Sequence, residues 1–122
     1  MLKREDLRTT VATVTTADAN IGSAVPQNKR RFIYRIKVIN EYDGANLLTL
    51  GKRENGAGST TTIDYVQLAT LYDIFPDPEE LHEDSVPLYI IEGAGSSGSS
   101  YLRAVTGSGN AYLTIWYIDA PA

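Results

Sequence analysis

The chain has 122 residues, 43% of them hydrophobic, which accommodates one domain with a single core and excludes a large multidomain enzyme. It contains no cysteine, which excludes a disulfide framework, a thiolate metal site and a cysteine nucleophile. The formal net charge is −4, and no apolar run approaches the ~20 residues of a membrane helix.

The charge is unevenly distributed along the chain. Residues 1–53 contain ten of the eleven Lys and Arg residues, whereas residues 54–122 contain ten of the fifteen Asp and Glu residues. Either the two halves interleave in a sandwich and the asymmetry averages out, or patches of unlike charge meet between subunits. Because phosphate-binding domains are usually basic, neither nucleic acid nor a membrane is expected as a partner.

The N-terminal region predicts an arm followed by a strand. Residues 1–9 are too polar to form core and are interpreted as an N-terminal arm, so the predicted single β-sandwich domain spans residues 10–122. The charges of the arm, with no apolar stretch behind them, predict no cleaved secretory signal. The β-branched run over residues 9–16 suits a pleated surface and predicts a strand.

The clearest strand pattern lies in residues 31–40, where apolar and basic positions alternate with period two. The predicted buried face holds Phe32, Tyr34, Ile36 and Val38, and the opposite face holds Arg31, Ile33, Arg35, Lys37 and Ile39. Basic side chains on that opposite face either keep the strand soluble or form a docking surface.

The middle of the chain predicts further strands between turns. Asp43-Gly44 is a strong turn signal, after which residues 47–53 form the return strand and residues 60–68 a third strand. Residues 69–75 are either a strand or a single helical turn, and the prolines at 76 and 78 end that segment. Residues 79–85 predict an acidic loop.

The last third predicts three strands, over residues 86–92, 101–106 and 111–119, separated by a glycine-serine loop and by a turn at 107–110. The last two are expected to form a β-hairpin. Seven or eight strands with turn signals between them predict an all-β, antiparallel, jelly-roll-like sandwich.

Both faces of the last predicted strand are largely apolar. One face holds Ala111, Leu113, Ile115 and Tyr117, and the other holds Tyr112, Thr114, Trp116 and Ile118. We therefore expect the core to cover one face and a neighbouring subunit or the N-terminal arm to cover the other. Trp116 is expected at the core or at a subunit contact, and a sugar-stacking platform is the alternative.

No motif in the sequence predicts catalysis. Residues 93–98 match G-x-G-x-x-G, but a strand pattern follows where a dinucleotide site needs a helix, so a flexible loop is expected. His82 lies in the acidic loop without a second histidine, which favours a solvated loop over a cation site. We expect no cofactor, no metal and no catalytic residue. Paired carboxylates for glycoside hydrolysis stay open, because their separation is unknown.

Residues 98–119 resemble the closing β-hairpin of small virion proteins of tailed phages. The shared pattern is a glycine, a short Leu102-Arg103-Ala104 strand, a small polar turn ending in Asn110-Ala111, and a β-rich strand with an acidic end. The resemblance implies a jelly-roll capsid decoration or cement protein, or a head- or tail-associated protein. It further implies a non-enzymatic homotrimer located in the virion, bound to the major capsid protein or another virion protein.

The expected contact residues are basic or aromatic, and they are Lys3, Arg4, Arg8, Lys29, Arg30, Arg31, Arg35, Lys37, Tyr112 and Trp116. The basic ones are expected to meet an acidic capsid surface. Two alternatives are a carbohydrate- or receptor-binding module of a tail fibre and a small cupin-like or glycosidase-like enzyme. The single histidine disfavours a cupin metal site, which needs several imidazoles.

Overall fold

The computed structural model describes residues 6–54, 56, 59–75, 86–95 and 98–121, and these form nine β-strands and no α-helix. The strands are β1 (Arg8–Val14), β2 (Ala19–Ile21), β3 (Lys29–Asn40), β4 (Asn46–Arg53), β5 (Thr61–Leu68), β6 (Ile74–Phe75), β7 (Tyr89–Glu92), β8 (Tyr101–Thr106) and β9 (Ala111–Pro121). Within these described residues, no helix has the length and hydrophobicity that spanning a bilayer requires.

The strands form two antiparallel sheets. The first sheet has the order β1-β9-β3, and both β6 and β7 pair along the remaining edge of β3. The second sheet has the order β2-β8-β4-β5. The prediction of an all-β, antiparallel sandwich is therefore confirmed.

The strand pairing is nested along the chain. Strand β1 pairs with β9, β2 with β8, β3 with β7 and β4 with β5. Successive pairs alternate between the two sheets, so the chain resembles one long ribbon that is wound around the core. Strand β6 is a short addition outside this nested series.

One apolar core lies between the sheets and takes side chains from both. Its main members are Ile33, Ile36, Val38, Leu48, Leu50, Val66, Leu68, Ile91, Leu102, Leu113 and Ile115. Each such side chain contributes roughly 1.5–3 kcal/mol when it is fully buried. On β9 the buried positions are odd-numbered, as the alternation predicts.

The predicted faces of β3 are correct for only half of the strand. A β-bulge lies between Ile33 and Arg35, so that Tyr34 is an extra residue without a direct partner on β9. A bulge of this kind exchanges the two faces of a strand. Arg31 and Ile33 therefore point into the core before the bulge, whereas Ile36 points into it afterwards. The placement of Phe32 and Tyr34 on the buried face was wrong.

The prediction that the last two strands form a β-hairpin is also wrong. Strand β8 pairs with β2 and β4, whereas β9 pairs with β1 and β3, so the turn between them crosses from one sheet to the other. The Asp43-Gly44 turn likewise connects β3 to β4 in the opposite sheet. Strands β4 and β5 do form a hairpin.

Several other boundaries differ from the predictions. Arg8 and Thr9 belong to β1, so this strand begins inside the predicted arm. In the segment 69–75 only Ile74–Phe75 is a strand. The strand β8, and no helix, follows the glycine-serine loop. Residues 76–85, which include the predicted acidic loop and His82, lie outside the described residues.

Candidate docking surface

The solvent side of the first sheet brings together four of the predicted contact residues. Because successive side chains of a strand point to opposite sides, the even-numbered residues of β9 face away from the core. Tyr112 is exposed, and Thr114 and Trp116 are half-buried. These three side chains run in a line along the central strand of the sheet.

Strand β3 adds cations beside this line because of its bulge. After the bulge, Arg35 lies opposite Trp116 and Lys37 lies opposite Thr114. The guanidinium carbon of Arg35 is 4.6 Å from the centroid of the Trp116 ring, which is a cation–π distance. We call Arg35, Lys37, Tyr112, Thr114 and Trp116 the aromatic–basic face.

The aromatic–basic face has a positive charge balance. The outward positions of β1, of β9 and of the part of β3 that follows the bulge contain Arg35 and Lys37 and no Asp or Glu. On the neighbouring strand β7, Glu92 faces outward, and its carboxylate lies 2.8 Å from Nε of Arg30. This outward carboxylate is therefore already paired with Arg30.

Arg31 does not belong to this surface, contrary to the prediction. Its side chain is buried, and it donates through Nε and a terminal nitrogen to the two Asp119 carboxylate oxygens at 2.8 and 2.9 Å. It also donates to the Ser23 carbonyl at 2.8 Å and stacks on the Tyr117 ring at 4.3 Å. The bulge causes this inward orientation, so Arg31 is a structural residue of the core.

The other predicted basic residues lie away from the aromatic–basic face. Lys29 and Arg30 lie at the far end of β3, opposite Pro121 and Ala120. Arg8 is exposed at the start of β1. Lys3 and Arg4 lie outside the described residues. The structure thus brings together four of the ten predicted residues, namely Arg35, Lys37, Tyr112 and Trp116.

Sequence reasoning missed a buried amide pair at one end of the sandwich. Asn40 donates to the carbonyls of Gly44 and Thr70 at 2.9 and 2.8 Å. Asn46 donates to Oδ1 of Asn40 at 3.2 Å and to the Gly109 carbonyl at 2.9 Å. Both amides therefore connect the two turns that cross between the sheets. Asparagine at a strand end is also common in solvated turns, so the sequence carried no distinguishing signal.

A second missed contact joins the sheets along one side. The Tyr89 hydroxyl on β7 donates to a carboxylate oxygen of Asp64 on β5. Desolvation by burial, and then the hydrogen bond and negative charge of Asp64, raise the pKa of Tyr89 above its ordinary value of 10.0. The Tyr89–Asp64 pair stabilises the neutral hydroxyl and connects the two sheets between β7 and β5.

Within residues 6–54, 59–75, 86–95 and 98–121, no group of three or more His, Asp or Glu side chains is placed to hold a metal ion. Comparisons with protein-family models, with curated proteins and with solved structures found no match.

Proposed function

We propose that this chain is a non-enzymatic structural subunit that docks on a larger assembly through the aromatic–basic face. The observation that supports this proposal most is the row of Tyr112, Thr114 and Trp116 on the solvent side of the sheet, flanked by Arg35 and Lys37. Exposed aromatic side chains beside an arginine are typical of protein interfaces. Within this class we favour a capsid decoration or cement protein.

The nested pairing supports this choice. A jelly roll is a double-sheet sandwich of eight strands, and the four nested strand pairs of this chain supply eight, with β6 as an addition. We therefore propose the jelly-roll class within the confirmed β-sandwich. Jelly rolls occur in viral capsid and lectin domains, and the resemblance of residues 98–119 to phage virion proteins favours the former.

The charge of the face indicates the chemistry of the partner. Two cations lie on a surface whose outward positions on β1, on β9 and on the part of β3 that follows the bulge contain no carboxylate. An acidic protein surface, such as that of a capsid lattice, complements this pattern and would increase the association rate. We expect the binding to weaken as salt is added. At physiological ionic strength the attraction between exposed charges is largely screened beyond a distance of about 8–10 Å, and added salt shortens this distance.

Carbohydrate binding is the second candidate, and Tyr112 is the residue that favours it. A sugar ring stacks on the open face of an aromatic ring. At Trp116, however, the Arg35 guanidinium already covers one ring face at 4.6 Å. We therefore favour a protein partner over a glycan platform.

Imaging of the particles that contain this chain tests the proposal. Electron micrographs of particles with and without the subunit should differ by density at repeated lattice sites, with the aromatic–basic face against the lattice. Rebinding of purified subunit to stripped particles then measures affinity. Lys37→Glu should weaken binding at least about tenfold, since it places a negative charge against an acidic surface.

Arg53→Glu is the matched control, because Arg53 is a half-buried arginine on β4 of the opposite sheet. It should rebind as well as the unchanged chain. The proposal would be contradicted if both variants lost affinity for the particles equally. It would also be contradicted if the density of the particles were unchanged when the subunit is absent. Binding to a glycan array that depends on Tyr112, without binding to particles, would support the second candidate instead.

A further inference from the structure

The edges of the two sheets differ in how they are protected against pairing with another chain. An edge strand exposes unpaired backbone groups, and proteins usually protect it with charges, bulges, proline or short length. In the second sheet β2 has three residues, and in the first sheet β6 and β7 have two and four. These three edge strands are therefore protected by their short length.

Strand β5 is longer but is protected in two other ways. Its register with β4 shifts at Ile63, which has no direct partner. The Tyr65 amide beside this bulge donates to Oδ1 of Asp64 at 2.8 Å, so that a side chain satisfies a backbone donor. A bulge and an inserted carboxylate both oppose the addition of a further strand.

Strand β1 has no bulge, no proline and no short length to protect it, and Arg8 at its start is its one charged residue. Its seven residues pair with β9 in an unbroken register, and residues 9–17 contain no charged side chain and no proline. Across the described ranges, no residue hydrogen-bonds to the backbone of β1 on the side away from β9. Val11 is 53% exposed in the middle of the strand. This edge is a template for an added strand.

We propose that β1 pairs antiparallel with β1 of a second copy of this chain, centred on Val11, so that two five-stranded sheets become one continuous sheet. Residues directly opposite in such a pair lie on the same side of the sheet, so Val11 would bury its exposed side chain against its own symmetry mate. Each Arg8 lies opposite Val14 of the other copy. The two Arg8 side chains lie about 20 Å apart, at ~3.4 Å per residue, which avoids like-charge repulsion.

The other edges explain why a two-fold pair fits better than a ring. A three-fold ring built from edge strands would require β1 to pair with a different edge of the next copy. Those edges are short or, at β5, blocked by a bulge and Asp64. An isologous pair uses only the unprotected edge, twice. This proposal replaces the trimer expected from the resemblance with a dimer, and it does not depend on the proposed function.

Light scattering coupled to size-exclusion chromatography tests the proposal over a range of protein concentrations. The unchanged chain should be a dimer that dissociates on dilution. Val11→Lys places a charge at the centre of the pair and should raise the dimer dissociation constant at least about tenfold. Tyr65→Lys is the matched control, because Tyr65 is 61% exposed on β5, and it should leave the dimer unchanged.

Because the chain has no cysteine, a single introduced cysteine reports the register directly. Val11→Cys should form a covalent dimer on mild oxidation, since the Cα atoms of directly opposite residues lie about 4.5–5.5 Å apart, within the range that a disulfide spans. Tyr65→Cys should not. A monomeric unchanged chain, a trimer, or a folded Val11→Lys variant that still dimerises would overturn the proposal. If Val11→Lys dissociates the dimer but Val11→Cys forms no cross-link, the pairing register centred on Val11 is contradicted.

Discussion

Strands β3 and β9 stack an arginine on an aromatic ring twice, once on the inner side of the sheet and once on the outer side. Inside, Arg31 lies 4.3 Å from the Tyr117 ring and is held by Asp119. Outside, Arg35 lies 4.6 Å from the Trp116 ring and is half-buried. The same pair of residue types therefore occurs in two very different environments within one strand pair.

The difference shows how burial changes the role of one kind of contact. A buried guanidinium must be paired, because an uncompensated charge in the core costs several kcal/mol. The inner pair therefore fixes the sandwich through Asp119. At the surface water screens the outer pair, so it contributes little to folding. It instead orients a cation and an indole toward solvent, where a partner can contact both.

The strongest test of this comparison removes the inner counter-charge. Asp119→Ala leaves the Arg31 guanidinium buried without its carboxylate, and we expect a loss of about 3–5 kcal/mol in the free energy of unfolding. Urea denaturation measures this loss. Glu92→Ala is the control: the Arg30–Glu92 pair is almost half-exposed, so about 1 kcal/mol or less is expected. Equal losses in the two variants would contradict the comparison.

A second test concerns the amide network on the inner side. Asn46→Ala removes a buried side chain that donates to Oδ1 of Asn40 and to the Gly109 carbonyl and accepts from the backbone amide of Ser108. We expect a loss of about 1–3 kcal/mol, the cost of unsatisfied buried polar groups, in the same denaturation experiment. Gln67→Ala removes an amide from the exposed side of β5 and should cost about 0.5 kcal/mol or less. A larger loss of unfolding free energy for Gln67→Ala than for Asn46→Ala would contradict the structural role given to Asn46.

A third test uses pH. Since the pKa of Tyr89 is raised in the folded state, the folded chain holds this proton more tightly than the unfolded chain. Its contribution to stability is complete below pH 10 and is lost as the pH rises above that value. Tyr89→Phe should therefore cost about 1 kcal/mol at pH 8, and the difference from the unchanged chain should shrink above pH 10. Tyr65→Phe, at an exposed position, should show no such change in unfolding experiments across this range.

The smallest expected effect is at the outer pair. Arg35→Ala should lower the unfolding free energy by about 0.5–1 kcal/mol, the range of an exposed cation–π contact. Trp116 is the only tryptophan in the chain, so its fluorescence reports on this contact alone. We expect a red shift as water reaches the ring. Lys37→Ala should leave the emission unchanged, and a red shift of equal size there would show that Arg35 does not cover the indole.

The sequence predicted the central strand of the fold better than its neighbour. On β9 the apolar alternation continues without interruption, so the buried and outward residues followed from period two alone. On β3 the same argument failed at Tyr34, because one extra residue exchanges the faces. Nothing in the local residues marks this bulge. Its consequence, the pairing of Arg31 with Asp119, joins residues 88 positions apart, so the local sequence does not predict it.

The aromatic–basic face was predictable in composition but not in arrangement. Tyr112 and Trp116 follow from the alternation of β9, and Arg35 and Lys37 from their place on β3. Their grouping without Arg31 depends on the bulge. The turns after β3 and β8 were predicted as hairpins, because turn residues permit a chain reversal without specifying which sheet receives the next strand.

The nested pairing also constrains the order in which the chain can fold. Val14 pairs with Ala111, and β9 lies between β1 and β3, so the first sheet lacks its central strand until residues 111–121 have been synthesised. Pairings between such distant residues are slow to form and leave strand edges exposed during translation. A chain that ends before Ala111 should therefore show no hydrogen-exchange protection in β1.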